Sequence, residues 1–135
     1  MKKFLLVLML IPVLGLAQHQ INVNVEKVPS SSGKISIALY NSQDAFLKFD
    51  KVYSFVSAEA NTGTTSLLLD DIPTGEYAIA IFYDENANDE LDTNWLGIPK
   101  EKVAFSNAKM KTFGPPKFKE CAFEVKADKT VTISL

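Results

Sequence analysis

Apolar and polar residues alternate along most of the chain after residue 20, which is the pattern of strands with one buried face. In the first run, Ile21, Val23 and Val25 share one parity and Asn22 and Asn24 share the other. Gly, Pro, Asn, Asp and Ser separate the runs at positions typical of turns. The pattern predicts seven strands, at residues 21–26, 34–39, 52–58, 64–69, 77–83, 118–125 and 130–135.

Two features of these runs bear on strand pairing. Residues 61–63, Asn-Thr-Gly, separate the third and fourth runs and predict a hairpin connection there. Residues 77–83 are apolar on both parities, which is typical of a strand in the centre of a sheet. After the first 17 residues, no window of ten or more residues has a 3.6-residue apolar period, and residues 45–49 allow one helical turn at most.

Many short strands with turn signals between them predict an all-β fold. We expect a single β-sandwich, immunoglobulin-like or transthyretin-like, of about seven strands. One long stretch, residues 84–116, lacks a strand pattern. Because it carries several aromatic and aliphatic residues, we expect an ordered loop that packs on one end of the sandwich.

The first 17 residues have the pattern of a cleaved leader. Lys2 and Lys3 precede an almost wholly apolar run, and Gly15 and Ala17 are small residues at the spacing of a signal peptidase site. We expect a signal peptide at residues 1–17 and the sandwich domain at residues 18–135. The apolar run is shorter than the roughly 20 residues of a membrane span. The mature form is therefore expected to be periplasmic or secreted, without a membrane span.

Composition narrows the classes of function. All 14 basic residues are Lys, so the two-pronged guanidinium grip on phosphates is absent and nucleic acid is not an expected partner. One Cys and one His exclude a disulfide framework and a multi-histidine zinc site. His19 lies beside the expected mature terminus, so an ordered Ser–His or Cys–His pair is not available. We expect a protein that is not an enzyme.

The strongest candidate site is the acidic loop, residues 84–92, with the sequence DENANDELD. Its oxygen-bearing side chains have the one-three-five-nine spacing of calcium loops, and the backbone carbonyl of position seven is a further ligand in such loops. The predicted metal ligands are Asp84, Asn86, Asn88, Glu90 and Asp92. The candidate cofactor is calcium.

The acidic loop departs from the EF-hand pattern at two places. Position six is Asp89 instead of Gly, and position twelve is Trp95 instead of a bidentate Glu. Another carboxylate must complete the ligand shell, with Glu101, Asp70 and Asp71 as candidates, and we expect affinity in the roughly 10⁻⁴–10⁻³ M range. The alternative interpretation is a solvated turn without metal, because Asp and Asn are also the best turn formers.

The aromatic residues beside the acidic loop have two interpretations. Trp95, Phe105 and Phe113 form either a platform that binds a ligand or a plug that packs the loop onto the sandwich. The plug is the favoured interpretation, because a packed loop has to bury apolar surface. Cys121 shares the parity of Phe123 and Val125 and is predicted to be a core residue.

The succession LDDIPTGEYAIAIFYDENANDELDTNWLGIPKE, followed by FSN and FGPPKF, resembles the bacterial exported family called domain of unknown function 2141. The resemblance covers essentially the whole mature chain and departs from the family where Ala87 or Asp89 replaces a frequent Gly. The family is uncharacterised, so the resemblance implies export but no activity. The turn at residues 73–77 is similar to that of transthyretin-like and carboxypeptidase-regulatory-like sandwich domains, an analogy of fold alone. The matching positions are Asp84, Asn86, Asn88, Asp92, Gly97, Pro99, Glu101, Ser106, Asn107 and residues 114–116.

Two functional hypotheses follow. In the first, the acidic loop binds a divalent cation and thereby orders residues 95–116 of an exported structural or binding domain. In the second, Trp95 and its aromatic neighbours bind a carbohydrate or another cell-envelope ligand without metal. The expected partners are thus a divalent cation and a cell-envelope protein or glycan.

Overall fold

The computed structural model describes residues 16–135, which form two sheets that enclose a shared core. The predicted all-β sandwich is confirmed. The predicted leader falls almost entirely on residues 1–15, which lie outside the described residues. Within residues 16–135 no helix is long and apolar enough to cross a membrane.

Eight strands and one short helix succeed one another within residues 16–135. The strands are β1 (Gln18–Val28), β2 (Lys34–Tyr40), β3 (Ser54–Glu59), β4 (Gly63–Pro73), β5 (Gly75–Asp84), β6 (Val103–Phe105), β7 (Phe123–Val125) and β8 (Lys129–Ser134). The helix is α1 (Phe118–Cys121), and Phe49–Lys51 form a turn of 3₁₀ helix.

The first sheet has three strands, with β1 between an antiparallel β4 and a parallel β8. The second sheet has the order β3-β2-β5-β6, and β7 also pairs with β5. The predicted central position of residues 77–83 is therefore confirmed, because β5 pairs with β2, β6 and β7. Asp84, the last residue of β5, pairs with Lys34 at the start of β2, so the acidic loop leaves from a paired strand end.

The main core lies between the sheets. Ile21, Val23 and Val25 are fully buried there, as their alternation predicts, together with the inward residues of β2 and β5. Burial of each such aliphatic side chain stabilises the fold by about 1.5–3 kcal/mol compared with leaving the side chain exposed. This core fixes the two sheets and hence the position of the end of β5.

A second, smaller core covers part of the outer face of the five-stranded sheet. Phe46 packs edge-on against Tyr40 and Phe118, with ring centroids 5.4 and 5.9 Å away. Phe105 and Cys121 are buried in the same cluster. The predicted core position of Cys121 is confirmed, and burial raises the pKa of its thiol to about 11, so the thiol stays protonated.

The predicted hairpin at residues 61–63 is wrong. β3 pairs with β2 and β4 pairs with β1, so the connection crosses from one sheet to the other. The bend is closed locally, because Thr65 Oγ1 accepts the N–H of Asn61 and donates to its carbonyl oxygen. Turn residues permit a reversal of the chain, but they do not choose the strand that pairs next.

The predicted strand at residues 118–125 is wrong in its first half, where Phe118–Cys121 form α1. Glu120 Oε2 accepts the N–H of Lys117 at 2.7 Å, and this bond stabilises the first turn of a helix. Only Phe123–Val125 form a strand. In addition, β6 lies within residues 84–116, where no strand was predicted.

Candidate metal-binding loop and apolar groove

The acidic loop is held against the turn that precedes β2. Tyr83 Oη donates to the carbonyl oxygen of Ser32 at 2.5 Å and lies 2.7 Å from Ser30 Oγ. Gly33, with φ of 78°, packs so closely that a Cβ would overlap the carbonyl oxygen of Asp84. Only Gly fits at this close approach, so the turn fixes where the loop begins.

Asp84 is fully buried and organises the backbone of the loop. Its Oδ2 accepts the N–H of Asp89 at 2.7 Å, and its Oδ1 accepts the N–H of Asn88 at 3.2 Å. Asp89 stands where calcium loops have Gly, and it adopts the left-handed conformation that Gly would supply, with φ of 62°. Asp tolerates this conformation better than most residues, so the loop turns sharply without Gly.

Two asparagine amides close the loop onto Asp92. Asn86 Nδ2 donates to Asp92 Oδ2 at 2.7 Å, and Asn88 Nδ2 donates to Asp92 Oδ1 at 3.0 Å. The amide oxygens accept backbone N–H groups two residues further on, Asn86 from Asn88 at 3.3 Å and Asn88 from Glu90 at 3.0 Å. The hydrogen bonds from Asn88 and then Asn86 hold the pKa of Asp92 below its ordinary value.

Glu101 reaches the same place from nine residues further along the chain. Its Oε2 accepts the N–H of Asp92 at 3.3 Å. Burial raises the pKa of Glu101, and the negative charges of Asp92 and Asp84 act in the same direction, although the N–H of Asp92 opposes them. Between the loop and this carboxylate lies a polar pocket of about 340 Å³, lined by Glu85, Asn86, Asp92, Thr93, Lys100 and Glu101.

The structure thus brings four of the five predicted loop residues into one hydrogen-bonded unit with Glu101. The fifth, Glu90, is exposed and joins the unit through its N–H group. Asp70 and Asp71 lie just before the start of β5, whose ten residues span about 33 Å, so they are remote from the loop. Among residues 16–135, no group of three or more His, Cys, Asp or Glu side chains is arranged to hold a metal ion. A cation at the loop would therefore depend on asparagine oxygens as well as carboxylates.

Beyond the acidic loop, residues 93–99 form a tight hairpin tip. Asn94 organises it, because Asn94 Oδ1 accepts the N–H groups of Leu96 at 2.9 Å and Ile98 at 3.0 Å. Trp95, at the tip, is 91% exposed. A second tip at Lys111 and Gly114, which pair with each other, carries a fully exposed Phe113.

The predicted aromatic plug is therefore wrong for two of its three residues. Phe105 is buried at 6% exposure and packs near Phe46, as a plug should. Trp95 and Phe113 instead project from tips that are shaped by local hydrogen bonds and need no apolar packing. Their exposure leaves them free to contact a partner.

Between the second tip and the outer face of the five-stranded sheet lies an apolar groove of about 650 Å³. Phe105 and Phe113 line it, whereas Trp95 does not. Leu91 and Glu101 also line the groove, so the acidic loop and the residues that follow it form part of its wall. In the sequence, the groove is indicated by two small residues, Ala38 and Ala80. They occupy outward-facing positions of two strands that are otherwise rich in large apolar residues.

The model of one protein family, described as uncharacterized protein conserved in bacteria (DUF2141), matches residues 23–134. The chain belongs to this family. No curated protein and no solved structure matches the chain. Membership confirms the resemblance found in the sequence, and it leaves the activity open because DUF2141 is uncharacterised.

Two further motif residues of this DUF2141 chain are structural. Ser106 is buried, and its Oγ donates to the carbonyl oxygen of Cys121 at 2.7 Å and accepts the N–H of Ile79 at 2.9 Å. Asn107 Nδ2 donates to the carbonyl oxygen of Ala122 at 3.0 Å. Both residues fasten the chain after β6 to the end of α1, and so they hold one side of the groove in place.

Proposed function

We propose that this protein is an exported, non-enzymatic β-sandwich whose acidic loop binds a divalent cation, calcium in the first place. Binding of the cation orders residues 93–116, which carry both exposed tips. The observation that carries the proposal is the closed unit formed by Asp84, Asn86, Asn88 and Asp92, with Glu101 bonded to its last residue. Calcium prefers such sets of carboxylate and amide oxygens.

The hydrogen bonds of the loop are compatible with a cation. An amide oxygen has two lone pairs, so Asn86 and Asn88 can accept their backbone N–H and still offer a lone pair to a metal. A cation at Asp92 would replace the two amide N–H groups that now satisfy its carboxylate. Waters complete the six to eight ligands that calcium takes, since protein oxygens alone are too few.

The charges of the loop support the same proposal. Five carboxylates lie within residues 84–92, with no Lys among them, although Lys34 Nζ on β2 pairs with Asp89 Oδ1 at 3.2 Å. Repulsion among the other carboxylates disfavours the compact loop unless a cation or solvent screens it. Burial, and then the negative charges of Asp92 and Asp84, raise the pKa of Glu101. A divalent cation at Asp92 would offset both effects, because its charge opposes those of Asp92, Asp84 and Glu101.

Export and the absence of catalysis rest on the sequence. The leader-like residues 1–17 support a periplasmic or secreted location. The millimolar calcium affinity expected for an incomplete ligand set is that of extracellular modules. His19 bonds to Thr74 Oγ1 at the opposite end of β5 from the acidic loop, so no imidazole is available there as a general base.

Isothermal titration of the purified protein with calcium tests the proposal. We expect a single site with a dissociation constant of about 10⁻⁴–10⁻³ M, and its loss in Asp92→Ala. Asp92 is the variant of choice because its side chain supports no backbone turn. Glu90→Ala is the matched control, since its exposed carboxylate lies in the same loop. Equal calcium binding in both variants, or none in the native protein with calcium, magnesium or manganese, would refute the proposal.

The exposure of Trp95 favours a second function, contact with a cell-envelope glycan or protein at the first tip. An exposed indole at the tip of a hairpin has a large face for stacking on a sugar ring. Because Trp95 is the only tryptophan, the tryptophan emission of the protein reports on this position alone. We expect envelope glycan fragments to change this fluorescence in the native protein, and unchanged emission would argue against the second function.

A further inference from the structure

The apolar groove exists because the outer face of the five-stranded sheet is unevenly covered. Ala38 and Ala80 are direct partners across β2 and β5, and they form a shallow floor between bulkier side chains. Tyr40 and Phe82 flank this floor on the same two strands. Ala80 remains partly exposed, so the floor is open to a ligand.

The lining of the groove selects for an apolar body. Side chains of Leu, Ile, Val, Met, Phe and Pro provide most of the wall, and the polar side chains that reach it, apart from Tyr40, are Glu101, Lys111 and Thr112. A sugar ring needs several directed hydrogen bonds, which so few polar groups cannot supply. A volume of about 650 Å³ is ample for a chain of ten or so carbon atoms and falls in the usual range of small-molecule sites.

The charges around the groove select for an anionic head group. Residues 100–120 contain six Lys and two acidic residues, Glu101 and Glu120. All six lysines are exposed, and Lys111 lies in the wall of the groove. Glu101 also lines the groove, and its carboxylate accepts the N–H of Asp92 in the acidic loop. Lys111 Nζ bonds to Glu120 at 2.5 Å, but this exposed pair is weak and leaves two further N–H donors.

We propose that the groove binds a free, single-chain anionic amphiphile, with its alkyl or acyl chain over Ala38 and Ala80 and its head beside Lys111. The concave shape favours one chain in monomeric form over the surface of a bilayer. This inference goes beyond the proposed cation site, because the contacts of the ligand with Ala38, Ala80 and Lys111 involve no metal ligand, although the proposed cation orders residues 110–115 on one side of the groove. Phe113 closes over the chain from the second tip.

The direct test is a backbone amide NMR titration with decanoate kept below its micelle concentration, run in chelator and again with calcium at a concentration that leaves decanoate in solution. 1-Decanol and decyltrimethylammonium serve as neutral and cationic probes of equal chain length. We expect shifts at the amides of β2, β5 and residues 110–115, and affinity in the order decanoate, decanol, decyltrimethylammonium. An absence of shifts with decanoate, or tightest binding of the cationic probe, would overturn the proposal.

Three variants locate the binding site. Ala80→Leu fills the floor, and Phe113→Ala removes the closing ring without loss of buried surface. Each should weaken decanoate binding about tenfold or more, equivalent to about 1.4 kcal/mol. Trp95→Ala is the control, because Trp95 is equally exposed but does not line the groove, and it should leave the affinity unchanged.

The outcome with Phe113→Ala is decisive even if Ala80→Leu disturbs the sheet, since a fully exposed side chain cannot hold the fold together. Equal losses in Phe113→Ala and Trp95→Ala would overturn the groove as the site. Binding to vesicles that contain anionic lipid, without binding of monomeric decanoate, would also overturn it and would indicate a membrane-docking surface instead.

Discussion

The segment between β5 and α1 consists of the acidic loop and residues 93–116, and the side chains of these two halves have different roles. In the acidic loop, polar side chains bond to other groups of the same loop, and buried Asp84 accepts two backbone N–H groups. In residues 93–116, the aromatic side chains of Trp95 and Phe113 are exposed, and Phe105 is the one aromatic side chain that is buried. Hydrogen bonds of polar side chains thus form the local structure of the first half, whereas the second half exposes large apolar side chains. The comparison indicates that the first half is a scaffold and that the second half makes contacts.

The sharpest test of this contrast compares two phenylalanines of the second half. Phe105→Ala removes a buried ring beside Phe46 and should lower the free energy of unfolding by about 3–5 kcal/mol. Phe113→Ala should change it by less than about 0.5 kcal/mol, because the ring is exposed. Urea denaturation of the two variants measures both values. Similar losses in both would mean that the second tip packs on the protein in solution.

The next test concerns how the first half is positioned. Gly33 and Gly97 have the same φ of 78°, so Ala at either position has a similar backbone strain. Only at Gly33 does the added Cβ overlap the acidic loop, whereas the space around Gly97 is open. Gly33→Ala should therefore be less stable than Gly97→Ala by about 1–3 kcal/mol. Equal thermal stability of the two variants would show that the loop is not anchored at the turn before β2.

The smallest expected effect is a change of sign at Glu101. Its pKa is raised in the fold, so its contribution to stability is favourable below the pKa of the unfolded chain and is lost as the pH rises through the raised value. In chelator at pH 7, Glu101→Gln should slightly raise the melting temperature, with the gain vanishing as the pH falls toward about 4. In calcium the variant should melt below the native protein, because a ligand is missing.

The control for this test is Glu76→Gln, an exposed position on β5 away from the acidic loop. It should behave alike in chelator and in calcium. If Glu101→Gln also behaves alike in both, Glu101 takes no part in cation binding.

The strands of this fold could be predicted from the sequence because their signal is local. Alternation marked the buried face of β1, and apolar residues on both parities marked β5 as central. The partner of each strand was harder to predict, because residues 61–63 are compatible both with a hairpin and with a crossing between the sheets. The turn of α1 had a readable signal in Glu120, three residues after Lys117, which the apolar alternation of residues 118–125 obscured.

The candidate site divides in the same way. Asp84, Asn86 and Asn88 act on backbone groups two to five residues away, so their spacing alone predicted a common loop. Glu101 arrives through the pairing of Thr93 with Pro99, which folds the chain back toward Asp92. The exposure of Trp95 and Phe113 could not be predicted from the sequence. In an irregular segment, the local sequence pattern is the same whether an apolar residue packs inward or projects outward.

Hydrogen exchange of the purified protein in chelator and in millimolar calcium tests directly whether a cation orders the segment between β5 and α1. The account predicts that calcium slows exchange of the amides of residues 86–116, while those in the centres of β1, β2 and β5 keep their rates. The exchange rates of the Asn88 and Asp89 amides should fall most, because their N–H groups bond to the carboxylate of Asp84, a predicted metal ligand. Identical exchange of residues 86–116 in chelator and in calcium would contradict the account.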